Sequence, residues 1–343
     1  MTAVSGFDAL ARQVGLQLPT EVHFPRPVVD VSVEFDAHIK AGELAGYKPI
    51  PTGFAQLDAY LGGVFIPESL IVLGGAPGVG KTVFALQAAR NIAAMQRGVI
   101  ALVVCFEHSE GYLYHRLLCM ESRVGSANGN GVTMNDIRGA ALGHDHAEAG
   151  LATLLATLPA ANEAFGRMVG YWERLFLVKG HPAKTTTRVL DIYLTTMRQR
   201  FPNIVLFVDY LQKIPVFMPG VEITTERQIR YVTEALKDLT LKHKIPILAV
   251  AASESEGLKG ARVRFEDLFG GESVKYEPDV ALMLNPTFGD ESRRRQRGKQ
   301  VIFSIEKNRM GPTGVEFIHT LHGENFAFET REARRPYAPI AVN

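Results

Sequence analysis

Cysteine is nearly missing: Cys105 and Cys119 are the only two in 343 residues. Neither falls in a metal-ligand or redox spacing, so both are expected as buried thiols of a cytoplasmic protein. Net charge is just as scarce, since 37 Lys and Arg against 36 Asp and Glu leave +1. No global field announces a polyanionic partner, and nucleic acid would have to be recognised through local patches. Apolar runs of membrane-spanning length are lacking, as is a basic-then-apolar leader at the N-terminus, so no membrane contact is expected. Repeats at solenoid periods and low-complexity tracts are absent too. His108, His144, His146 and His181 share no metal-ligand spacing and read as surface or supporting residues. The remainder, 46% hydrophobic and 21% charged, is an ordinary globular composition with ample material for a core.

One stretch is far from ordinary. Gly75, Gly80, Lys81 and Thr82 satisfy G-x-x-x-x-G-K-[ST] within Gly75-Ala76-Pro77-Gly78-Val79-Gly80-Lys81-Thr82-Val83. An apolar run over Leu70–Leu73 precedes it and a helical pattern over Val83–Met95 follows, the strand–loop–helix context the motif requires. Glycines let successive backbone N–H groups turn inward around phosphate oxygens, and the helix N-terminus adds a favourable dipole. Lys81 is placed to bridge the terminal phosphates and the Thr82 hydroxyl to ligate magnesium. ATP with Mg2+ is the expected ligand.

The rest of the chain is organised around that loop. Residues 1–46 hold a short amphipathic stretch, three prolines and a candidate helix between Val31 and Leu44. Too small for a core of their own, they read as an arm that docks on a neighbouring subunit or a partner protein. Residues 47–332 form the expected catalytic domain, and residues 333–343 a tail. Buried-strand runs at Val99–Phe106, Ile204–Val208 and Ile247–Ala251 alternate with helical patterns at 111–124, 151–172, 185–200 and 225–243. This spacing predicts an α/β fold, a mostly parallel central sheet with helices on both faces. Shorter strands at 280–284, 300–306 and 315–321 predict an antiparallel C-terminal edge.

Phosphoryl transfer needs a metal holder, a group that activates water, and positive charge on the γ-phosphate. Asp209, directly after the strand 204–208, fits the first role and would share the magnesium with Thr82. Glu107 follows the strand ending at Phe106, expected immediately beside the loop strand, where a carboxylate faces the γ-phosphate as a candidate base. Lys307 and Arg309 follow the strand 300–306 and, two residues apart, project to one side. They read either as a solvated hairpin tip or as an arginine finger supplied across a subunit boundary. Five cations crowd the seven residues Arg293–Lys299. Lys259, Arg262 and Arg264 precede Phe269 and Gly270. Either cluster suits DNA phosphates or simple solvation, and Phe269 either stacks on a base or packs its loop.

Taken in order, Thr52-Gly-Phe-x-x-Leu-Asp58, the phosphate loop, Phe106-Glu107, Asp209-Tyr-Leu-Gln212, Ala235-Leu-Lys-Asp-Leu239 with Ile245-Pro246, and Glu306-Lys-Asn-Arg-Met-Gly-Pro312 resemble the RecA-like P-loop motor domain of the DnaB family of bacterial replicative helicases. The Lys-Asn-Arg-x-Gly run is also similar to the RadA/Sms branch. The resemblance covers roughly residues 48–330. It implies a homo-hexamer with ATP at subunit interfaces and single-stranded DNA as partner, with Glu107 as catalytic base and Lys307 and Arg309 reaching into the neighbour's site. Three departures stand out. Ala252 occupies the place of the family's sensor glutamine, Phe269-Gly-Gly-Glu272 replaces an Arg-Glu pair in the DNA loop, and a short arm stands where the helical N-terminal domain is usual. A DNA-translocating or unwinding motor is therefore the first expectation. A RecA-like ATPase whose ATP governs oligomerisation and partner binding, without helicase activity, is the alternative.

Overall fold

The structure, a computed structural model, describes residues 26–44, 48–126, 131–143, 150–217, 220, 223–253, 262–287 and 298–330. The described chain falls into two compact units divided between Lys48 and Pro49. In the first, helix α1 (Val28–Ala41) starts after Pro27 and ends at Gly42, whose φ of 72° takes the left-handed turn that glycine adopts without strain. None of its residues is buried, and Val28, Val29, Val31 and Val33 are each at least half exposed.

Among the described residues, the second unit is built on one nine-stranded sheet. Its elements run α2 (Ala55–Leu61), β1 (Leu70–Gly75), α3 (Lys81–Met95), β2 (Val99–Cys105), α4 (Glu110–Val124), α5 (Met134–Leu142), α6 (Leu151–Ala156), α7 (Pro159–Val169), β3 (Leu175–Lys179) and α8 (Thr187–Arg198). They continue with β4 (Asn203–Asp209), α9 (Thr225–His243), β5 (Ile247–Val250), α10 (Gly271–Tyr276), β6 (Val280–Pro286), β7 (Lys299–Asn308), β8 (Val315–His322) and β9 (Ala327–Phe328). The strand order is β3-β2-β4-β5-β1-β6-β7-β8-β9. The first six positions pair in parallel and the last three antiparallel, as the alternation of patterns predicts.

The continuous apolar runs of β1, β2 and β5 are buried along their whole length because helices cover both faces. Alternate residues serve opposite layers. Val103, Val205 and Phe207 pack with Phe84 and Ile92 of α3 and Leu117 of α4. Leu102, Leu206 and Val208 pack with Leu190 of α8 and with Val232 and Leu236 of α9.

Two expectations are corrected. β2 does not lie beside the loop strand, because β4 and β5 stand between β2 and β1. A run buried on both faces carries no record of which strands flank it. The helix expected over 151–172 is broken into α6 and α7 at Pro159, which has no N–H to continue a helix and instead starts one.

Candidate active site

The parallel strands deliver their C-terminal ends to one edge of the sheet. Cys105 is paired with Asp209, Asp209 with Val250, and Val250 with Leu73. Despite the revised order, Glu107, Asp209 and the phosphate loop therefore meet at that edge. Gly75 is required there: at φ +134° a Cβ would lie 2.0 Å from the Leu284 carbonyl, so only glycine lets the loop leave β1 against β6. Gly80, at φ +96°, opens α3, and a Cβ on it would press on Leu321 and Phe328.

Lys81 curls back over this loop, its Nζ donating to the carbonyls of Gly75 at 2.7 Å and Ala76 at 3.0 Å. Burial lowers its pKa, against which the nearby carboxylates of Asp209 and Glu107 favour the charged form. The Thr82 hydroxyl donates to Asp209 Oδ2 at 2.7 Å. Burial raises the Asp209 pKa, the Thr82 hydrogen bond opposes that rise, and Glu107 adds to it. Cys105 Sγ stands 3.7 Å from the same carboxylate oxygen, and burial pushes that thiol up to about 11. A hydroxyl and a carboxylate side by side at the mouth of the loop form an all-oxygen donor pair suited to magnesium. Glu107 itself is exposed at the same edge.

The remaining candidates lie elsewhere. Lys307 Nζ donates to the carbonyls of Lys275 at 2.6 Å and Tyr276 at 2.7 Å. Arg309 donates to the same Tyr276 carbonyl at 2.6 Å and pairs with Asp279 at 3.1 Å. The two cations thus converge on one side, as their spacing predicts, and burial lowers the Lys307 pKa with the Arg309 charge adding to the effect. Asp279 also receives the Leu70 N–H, so this cluster sits where β1 begins, at the opposite edge from the loop.

Arg262 is paired with Glu316 at 2.5 Å and Arg264 with Glu306 at 3.4 Å, while Phe269 is 37% exposed. Lys259 and Arg293 to Arg297 lie outside the described residues. Lys299, read with that basic run, instead donates from Nζ to the Gly78 carbonyl of the phosphate loop at 2.9 Å. The side chain at the end of β5 that touches the loop is Ser253, whose Oγ donates to the Gly75 carbonyl at 3.1 Å. Its neighbour Ala252 is tied by its N–H to Gln212 and by its carbonyl to the Phe269 N–H. A polar residue following an apolar strand that ends at the loop's edge was the available signal for Ser253. Nothing in the spacing marks Lys299.

Residues 49–154 and 169–328 match the DnaB-like helicase C terminal domain. The chain belongs to that family. Replicative DNA helicase DnaB of Geobacillus stearothermophilus is 26% identical over 284 residues, covering 81% of this chain and 55% of the relative. DNA repair protein RadA of Mycobacterium tuberculosis is 44% identical over 66 residues, only 19% of this chain and 13% of that one. Among solved structures, a DnaB-like replicative helicase described with its interactions with primase superposes with a TM-score of 0.66 at 16% identity. That match covers 94% of this chain and 71% of the other, and shows the shared fold. The chain spans about half the length of its DnaB relative. The expected kinship with the DnaB-like helicase C terminal domain is thus confirmed, and the RadA likeness stays the more local of the two.

Proposed function

We propose that the chain is an ATP- and Mg2+-dependent motor that assembles as a homo-oligomeric ring, of hexameric type, and moves on or unwinds DNA in the cytoplasm. The observation that carries this reading is the contact between Thr82 and Asp209 at the phosphate loop, with Glu107 on the same edge. Thr82 and Asp209 would hold magnesium, which when bound neutralises charge on the β- and γ-oxygens. Lys81 would leave its two carbonyl partners for the phosphates, and Glu107 would take the proton of the attacking water. Single-stranded DNA would run past Phe269 and Gly270, with Lys259, Arg262 and Arg264 as its candidate phosphate contacts. The arm carrying α1 would dock on a neighbouring subunit or a partner protein through its exposed valines.

ATP hydrolysis measured with and without single-stranded DNA at two salt concentrations, alongside particle mass, tests this reading. Stimulation that weakens as salt rises, from a particle of about six chains, is the expected result. Hydrolysis indifferent to DNA would overturn the motor and leave an ATPase that governs assembly, a reading favoured by the acidic partners already holding Arg262 and Arg264.

A further inference from the structure

Gln212 closes the Asp-Tyr-Leu-Gln run and has no task in the chemistry above. Its side-chain amide behaves like the peptide group of an additional strand. Oε1 accepts from the Ala252 N–H at 3.1 Å, and Nε2 donates to the Ala252 carbonyl at 3.4 Å and to the Phe269 carbonyl at 3.0 Å. The Phe269 N–H in turn donates to the Ala252 carbonyl at 3.0 Å. The β4–β5 ladder ends at Asp209 and Val250, so one side chain carries the pairing onward and joins a third segment to it. From α9, Gln228 Nε2 donates to the carbonyls of Gln212 at 3.4 Å and Ile214 at 2.9 Å and holds the clamp from behind.

The same segment is fastened to the phosphate loop. Ser253 bridges Leu268 and donates to the Gly75 carbonyl, which also accepts from Lys81 Nζ. Leu268 lies against Gly74 so closely that a Cβ there would come within 2.6 Å of it. On the other flank, Gly270 has φ +135°, and a Cβ would lie 2.4 Å from Ile229 Cγ2, so the turn has a single seat. Phe269 is therefore an exposed ring on a backbone gripped from both sides. One grip ends on the carbonyl that Lys81 shares, and the other is Gln212, three residues beyond Asp209.

We propose that Gln212 is a positioning residue whose amide transmits the occupancy of the phosphate loop to Phe269. When phosphates draw Lys81 Nζ away, the Gly75 carbonyl keeps Ser253 as its side-chain donor. The adjustment of Ser253 passes through Ala252 and the Gln212 amide to the Phe269 carbonyl. The inference rests on the nucleotide reading above but does not require DNA as the partner.

The test uses the full chain carrying F269W as an emission reporter, with the signal of Trp172 subtracted by means of the chain lacking F269W. Mg-ADP and a non-hydrolysable Mg-ATP analogue are the probes. Each is expected to shift the reporter's emission. Adding Q212M, which keeps length and removes both hydrogen-bonding groups, should cut that shift at least about fivefold while nucleotide affinity holds within about threefold. Q212E keeps an acceptor for the Ala252 N–H and removes only the donor, and should behave the same way should Q212M fold poorly. In chains without the reporter, both variants should lower any DNA-stimulated kcat and leave the KM for ATP in place, a split that general loosening would not produce. A shift retained in Q212M and Q212E, or absent from the F269W chain with nucleotide bound, overturns the inference alone. A chain that binds neither nucleotide overturns the reading beneath it as well.

Discussion

Burial governs the ionisable groups beside the phosphate loop, and it does so in opposite senses for a cation and a thiol. Lys81 lies in a desolvated place that lowers its pKa, where two carbonyls accept from its Nζ and two carboxylates favour its charged form. Lys81→Ala should weaken nucleotide binding by roughly 10- to 100-fold, the loss of one or two charge-assisted hydrogen bonds. Titration with a fluorescent nucleotide reads this, and unchanged affinity would remove Lys81 from the site. The thiols are raised, Cys105 to about 11 and Cys119 to about 12, each chiefly by burial. Less than about one part in a hundred is thiolate at pH 8, and a buried sulfur is shielded as well, so a thiol reagent should modify neither until the chain unfolds. Reaction of the native chain within minutes would contradict that. At this scale Thr82 and Asp209 were legible because the chemistry fixes their types and their places after strands. Ser253 offered only its place after an apolar strand and Lys299 no signal at all, since a hydroxyl or an amine on a loop carbonyl needs no motif.

Helices are fastened to one another by a group that no local pattern reveals. The carboxylate of Glu121 in α4, fully buried, takes two hydrogen bonds from Arg90 of α3, at 2.5 and 2.6 Å, and one from Arg167 of α7 at 3.1 Å. The Tyr171 hydroxyl donates to it at 3.0 Å. Glu121→Ala would strand two guanidiniums in a partly dry pocket and should cost about 3–5 kcal/mol, read as a lower denaturant midpoint. A loss near zero would mean that water reaches both arginines. The strands were legible because an apolar run records its own burial. The Glu121 cluster was not, because its partners lie 31, 46 and 50 residues away. The turn at Thr52 to Asp58 lies between these cases. Its motif was readable, yet the Asp58 carboxylate folds back to take the Thr52 and Gly53 N–H groups and the Thr52 hydroxyl, a closure within seven residues that the motif alone does not show.

For the whole molecule the deciding quantity is the length of β6. Arg309 is anchored on Asp279 at the start of that strand, and the phosphate loop packs on Leu284 near its end. The five residue-to-residue steps from Asp279 to Leu284 span about 16 Å, beyond the reach of a side chain held at the other edge. Arg309 is 48% exposed on its side chain, so it faces outward from the unit that holds it. If it completes a hydrolytic site, that site belongs to another copy. Arg309→Ala should then leave nucleotide affinity within about threefold and lower turnover by roughly 10³-fold or more, the scale of an arginine finger. Glu107→Gln should also abolish turnover while leaving binding intact. Neither variant should work alone, but if the chain assembles with sites at subunit boundaries, mixed assemblies would contain interfaces with Glu107 from one parent and Arg309 from the other, about a quarter of them at equal mixing. Recovered ATP hydrolysis that peaks near equal mixing is the expected outcome. Flat, absent activity at every ratio, from particles shown by mass to have exchanged subunits, would place Arg309 outside the neighbour's site.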